Sequence, residues 1–136
     1  MIVADTSGLL AFFHRDEPTH DAVRRMVEAE DAPLIVSPYV VAELDYLLAT
    51  RMGVTAELAA LSELASGAYH LADIDAEALS AVRDVVDRYR DQGIGATDAS
   101  LVILADRYRT RSVLTLDRRR FEVLRPLSGG RFRILP

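Results

Sequence analysis

The sequence predicts an α/β domain of three layers, α/β/α, with helices on both faces of a central parallel sheet of four to five short strands. Three observations lead there. Several short runs are apolar throughout, as strands buried on both faces must be. Segments with helical periodicity alternate with these runs. No repeat, low-complexity tract or linker interrupts the pattern, so residues 1–136 read as one domain, long enough to bury a real core.

The elements follow in order. Residues 2–5 read as a buried strand, and Thr6 or Ser7 offers an N-cap hydroxyl for a helix through Leu9, Leu10, Phe12 and Phe13. After the polar turn from His14 to Pro18, Thr19 caps a helix to about Glu30. Leu34-Ile35-Val36 is the second strand. Ser37-Pro38 then pairs a cap with proline at the first helical position. That helix carries Val40, Val41, Leu44, Leu47 and Leu48 on one side and stops near Gly53. Thr55 is the expected cap of the next, with Leu58, Leu61 and Leu64 inward, ending at Gly67. Residues 69–72 form a brief third strand. Asp75 caps a long helix with Leu79, Val82, Val86 and Tyr89 at helical spacing, ending before Gly93. Thr97 begins an apolar helix to about Tyr108. Ser112 to Leu116 is the clearest strand, and Phe132 to Leu135 is the last.

Composition narrows the chemistry. The chain has no cysteine, which excludes disulfides, zinc–thiolate sites and thiol catalysis. No apolar run approaches the roughly 18 residues of a membrane helix, and no secretion signal is read at the start, so the expected location is cytoplasmic. The net charge of −5 is unevenly spread. Residues 1–106 carry 7 Arg against 19 Asp and Glu, whereas residues 107–136 carry 9 Arg against 2 acids. Every basic residue is Arg. An acidic body with a basic end suits cations at one place and phosphates at another.

Four acids stand out by position. The functional crevice of an open parallel sheet lies beyond the carboxyl ends of its strands. Asp5 ends the first strand, and Asp117 follows Val113-Leu114-Thr115-Leu116 directly. If those strands are neighbours, about 4.8 Å apart, both carboxylates reach one metal ion. Glu43 lies some six residues into the helix after the second strand, roughly 9 Å along its axis. It sits among Val40, Val41, Ala42 and Leu44, where burial is expected. Asp98 opens the helix leading to the Asp117 strand. Each acid also has a purely structural reading, Asp5 and Asp117 as helix caps and Asp98 as a first-turn acid favoured by the helix dipole. For the four to meet, the helix at 75–92 must lie obliquely. Asp45 points about 200° away from Glu43 and cannot join it.

The segments Ile2-Val3-Ala4-Asp5-Thr6-Ser7, Val41-Ala42-Glu43-Leu44, Thr97-Asp98-Ala99 and Leu114-Thr115-Leu116-Asp117 resemble the four acidic motifs of PIN-domain nucleases. In length and order the whole chain is similar to the VapC-type toxins of bacterial toxin–antitoxin pairs. The resemblance implies Mg²⁺- or Mn²⁺-dependent endoribonuclease activity with Asp5, Glu43, Asp98 and Asp117 as the acids. It also implies a homodimer and a cognate VapB-like antitoxin. The family's hydroxyl beside the first acid falls on Thr6 or Ser7.

Physical chemistry supports the same expectation. Carboxylates within about 5 Å of each other repel by roughly 3 kcal/mol per pair at an effective dielectric near 20, so such a site takes up protons or a cation. All-oxygen donors favour Mg²⁺ or Mn²⁺ over zinc. Arg118-Arg119-Arg120 is placed to grip RNA phosphates beside the cut, or else forms a solvated turn paired to the acidic body. An aspartic-protease reading of Asp5-Thr6-Ser7-Gly8 fails, because that fold is all-β with two such loops. The rival readings are a PIN-like module that binds RNA or protein without cutting, and a nuclease directed at DNA.

Overall fold

The computed structural model describes residues 1–136. Five parallel strands, β1 (Val3–Ala4), β2 (Ile35–Val36), β3 (His70–Leu71), β4 (Ser112–Leu114) and β5 (Arg133–Leu135), form one sheet in the order β3-β2-β1-β4-β5. β1 lies at the centre, with Val3 opposite Ile35 on one side and Val113 on the other. The expected adjacency of the Asp5 and Asp117 strands holds. Val3, Ala4, Ile35, Val36, Val113 and Leu114 are wholly buried, which is why these stretches of strand carry no polar residue.

The chain first moves outward from β1 to β2 to β3, then crosses to β4 and moves outward again to β5. Right-handed crossovers therefore place the helices before β3 on one face and those after it on the other. The reversal falls between β1 and β4, and that is where a crevice opens in sheets of this kind.

Seven helices cover the sheet: α1 (Thr6–Phe13), α2 (His20–Glu28), α3 (Pro38–Met52), α4 (Val54–Leu64), α5 (Ala76–Arg88), α6 (Ala96–Arg107) and α7 (Arg118–Val123). Two caps occur as expected. Ser37 Oγ accepts from the Tyr39 amide at 3.2 Å with Pro38 at the first position, and Asp75 Oδ1 accepts from Ala78 at 2.8 Å. Others differ. The N-cap of α1 is Asp5, not Thr6 or Ser7, and that of α4 is Gly53 rather than Thr55. Thr19 caps α2 by position only, its hydroxyl bonding Glu17 instead.

The inward faces also shift. Leu58 (58% exposed) and Leu61 face outward, and α4 buries Ala60 and Leu64 against α3. Leu79 is exposed because α5 packs through Ala78, Val82 and Val85. α7 replaces the turn expected around Arg118–Arg120, held by the buried side chains of Phe121 and Leu124.

The route from β3 to β4 runs along α6. β3 is only two residues long, and Asp73 beyond it receives a 2.8 Å bond at its carbonyl from Arg107 at the far end of α6. α5 thus starts beside the end of α6 and runs antiparallel to it. A 3₁₀ turn (Arg90–Gln92) and Gly93, at φ 67°, bring the chain back to start α6. α6 packs against α5, α3 and β1, so residues 98–105 are buried without interruption. No helix is long and apolar enough to cross a membrane.

Candidate active site

Asp5 leaves the carboxyl end of β1 held from both sides. Its amide donates to Leu114 of β4 at 2.9 Å. Its Oδ2 accepts from Thr115 Oγ1 at 2.7 Å and from Ser7 Oγ at 2.9 Å. Although Asp5 occupies the N-cap position of α1, its carboxylate makes no capping bond. Both side-chain donors fall on Oδ2, which leaves Oδ1 free of protein partners. Asp5 is 7% exposed, and its carboxylate serves the pocket rather than its own helix.

The two hydroxyls knit the β1 and β4 ends together. Ser7 Oγ also accepts from the Leu116 amide at 2.9 Å, and Thr115 Oγ1 accepts from the Asp117 amide at 3.0 Å. Of the two candidate hydroxyls beside Asp5, Ser7 is the one that touches it. Thr6 Oγ1 is buried with no hydrogen-bond partner. Sequence reasoning does not single out Thr115, yet this residue reaches both the first and the last acid. Its one signal is a polar residue between Leu114 and Leu116.

This knot depends on close packing of α1 against β4. A Cβ on Gly8 would come within 2.5 Å of the Leu114 side chain and 2.6 Å of its carbonyl oxygen. Any side chain at position 8 would push α1 away, and with it Ser7.

Asp98 is the third residue of α6 and is 5% exposed. Burial, together with the charges of Asp5, Glu43 and Asp117, pushes its pKa up to about 6, against a lowering by Arg120. The four expected acids therefore gather in one electrostatic neighbourhood centred on Asp98. Ser37 and Ser100, both wholly buried and 2.7 Å apart, bolt the start of α3 to the first turns of α6.

Glu43 is not buried, despite its apolar neighbours in the chain. α3 buries only the stripe Val40, Leu44 and Leu48, and Glu43 stands exposed at the rim. Asp45 turns to the opposite side, where its carboxylate lies beside that of Glu57 and raises that carboxyl's pKa. Asp117 is half-exposed and caps α7, accepting from the Arg120 amide at 3.2 Å. It is thus a helix cap as well as a pocket acid, the cap using Oδ1.

The three consecutive arginines behave differently from one another. Arg118 and Arg119 make no ion pair. Arg120 turns inward, with Nη1 2.9 Å from Asp98 Oδ2 and Nε 3.4 Å from Asp117 Oδ2. With the side chains so placed, no three acids close on a single point as metal ligands. The donor set nonetheless fits a hard divalent cation. It consists of carboxylate oxygens only, one of them free on Asp5, around a buried acid that already draws in a positive group.

The PIN domain family model matches residues 2–125. The chain is 56% identical over 135 residues to Ribonuclease VapC26 of Mycobacterium tuberculosis, covering 99% of this chain and 100% of that protein. Among solved structures, Mycobacterium tuberculosis VapC20, described as a Sarcin-Ricin loop cleaving toxin, superimposes with a TM-score of 0.80 at 19% identity, covering 87% of this chain and 91% of that one. A toxin-antitoxin complex from Klebsiella pneumoniae matches at 0.63 and 15% identity, covering 91% and 92%. At those identities the structures speak for the fold alone. The matched family, the close relative and the four acids at the sheet's reversal agree, and the chain belongs to the PIN-domain family, among its VapC-type members.

Proposed function

We propose that the chain is a Mg²⁺- or Mn²⁺-dependent endoribonuclease that hydrolyses RNA phosphodiester bonds at Asp5, Glu43, Asp98 and Asp117. The observation that carries this reading is the buried Asp98 carboxyl, on which the charges of the other three acids act, where the strand order reverses. Its close relative is named a ribonuclease, which supports the same substrate class.

Asp5, Asp98 and Asp117 would hold the ion, directly or through water, with Glu43 sharing it or orienting the attacking water. A divalent ion, when bound, supplies charge that polarises the scissile phosphate and acidifies a water. The chain's own residues do the rest. Ser7 and Thr115 fix Asp5 through Oδ2 and leave Oδ1 to the pocket. The buried Ser37–Ser100 bridge keeps the helices of Glu43 and Asp98 in register. Arg118 and Arg119, free of carboxylates, are placed to contact phosphates flanking the cut.

The activity is that of a toxin held in check by a cognate VapB-like antitoxin, in keeping with a structural neighbour solved as a toxin-antitoxin complex. The working form is a homodimer. The exposed apolar residues Tyr46, Val54, Leu58 and Leu61 on α3 and α4 are candidates for that contact.

Purified protein should cut RNA with Mg²⁺ and stop with EDTA. Asp5→Asn and Asp98→Asn should each lose cleavage by a factor on the order of 10² or more, with an unchanged circular dichroism spectrum. Cleavage by both variants at the wild-type rate would remove the site assignment. RNA binding without cleavage would identify a non-catalytic module, and a preference for DNA when both substrates are offered would move the substrate class.

A further inference from the structure

We infer that Arg120 is a built-in counter-cation of the acidic pocket, occupying the divalent ion's place between Asp98 and Asp117 and leaving when the ion binds. The inference deepens the metal-dependent reading above and rests on it.

The geometry is specific to this one arginine. Its guanidinium spans two acids from different helices, donating from Nη1 to Asp98 Oδ2 at 2.9 Å while Nε lies 3.4 Å from Asp117 Oδ2. Arg118 and Arg119, on the same turn, reach no acid. The difference comes from α7. Asp117 caps this helix by accepting from the Arg120 amide, so residue 120 lies directly over the cap residue. Phe121 and Leu124 are buried and anchor α7 to the core. The Arg120 side chain reaches in from solvent: it is 44% exposed, whereas that of Asp98 is 7% exposed.

A divalent ion on these oxygens would compete with the guanidinium, because Mg²⁺ binds carboxylates at about 2.0–2.1 Å and demands the lone pairs the arginine now uses. Two positive groups do not share them. The side chain has somewhere to go. A cavity of about 260 Å³ adjoins it, bordered by Gln92, Ile94, Asp117, Arg119, Arg120 and Val123. Turned that way, Arg120 stands beside Arg119, and two neighbouring guanidinium groups call for an anion. The RNA phosphate is the anion this pocket handles. Metal loading would thereby convert Arg120 from a plug into a phosphate contact, so that the ion-free pocket does not grip RNA.

Three measurements test the exchange. In the wild-type protein, the Arg120 Nε–Hε resonance should move and exchange faster with water as Mg²⁺ is titrated to saturation. By calorimetry, Arg120→Ala should bind Mn²⁺ more tightly, on the order of tenfold, with Arg120→Lys in between. The metal-free Arg120→Ala protein should melt lower than wild type, and saturating Mn²⁺ should close the gap. Mg²⁺ binding that leaves the Arg120 resonance unmoved, or Mn²⁺ affinity in Arg120→Ala that is equal or weaker, overturns the inference while leaving the metal site standing. The wild-type titration decides alone if the alanine variant does not fold. Absence of Mg²⁺ and Mn²⁺ binding in every form, including wild type, removes the metal-dependent reading itself, and the role of Arg120 with it.

Discussion

Asp98 behaves as a buried acid whose charge the fold disfavours, and this has a measurable sign. Its folded pKa, about 6, lies above its ordinary value of 3.8, so the folded chain holds a proton that the unfolded chain has released between those limits. Metal-free stability should therefore fall as pH rises from about 4 to about 6, with a slope of at most roughly 1.4 kcal/mol per pH unit. Asp98→Asn should melt at the wild-type temperature near pH 4 and above it at pH 7 to 8, without metal; equal melting at both would mean that no charge is disfavoured there. Cleavage should also decline below about pH 6, where the proton competes with the ion. The position of this acid is legible from its place at a helix start. Its burial is not, because that depends on α3, α5 and β1 closing around α6. Glu43 fails in the opposite direction: an acid among valines and a leucine reads as buried, but helical geometry turns the buried stripe to another face. The grip of Arg120 on Asp98 joins residues from two helices, and no spacing rule announces such a pair.

Elements are easiest to read where one force sets them. β1 and the Val113-Leu114 stretch of β4 are apolar because both faces are covered, and the Ser37-Pro38 and Asp75 caps announce α3 and α5 by side-chain chemistry. α7 is announced only by Asp117 as a cap, because its first turn is three arginines with no apolar stripe until Phe121 and Leu124. α4 is legible as a helix but not by its inward face, since two of its leucines are exposed and its small residue Ala60 makes contact with the core. The most restrictive contact between elements is Gly8 on β4. Gly8→Ala should destabilise the protein by about 1–3 kcal/mol, the usual cost of forcing a methyl into packed surroundings. It should also depress cleavage more than a loss of folded fraction explains, because Ser7 moves with α1. A melting temperature within about a degree of wild type would show that α1 yields freely.

Over the whole molecule, charge is sorted along the chain, and the fold converts that sorting into a spatial one. The acidic first 106 residues supply Asp5, Glu43 and Asp98, and the basic final segment supplies Asp117 with the arginines beside it. Arg118→Glu combined with Arg119→Glu should weaken RNA binding and flatten its dependence on salt, since each lost phosphate contact reduces the slope by about one. Melting temperature should hardly change, because neither side chain has an ion-pair partner to lose. Binding with unaltered salt dependence would assign both to plain solvation. The α/β class and the parallel sheet are visible in the order of elements. The path from β3 to β4 is not, because it turns on the shortness of β3.

The centre strand's second neighbour arrives late. Asp5 meets Thr115 across 110 positions of chain, and β1 stays open along one side until β4 has been made. A polypeptide that terminates before residue 112 carries three of the acids but has no wall to gather them against. A chain cut short before β4 should therefore show no cleavage in the RNA assay.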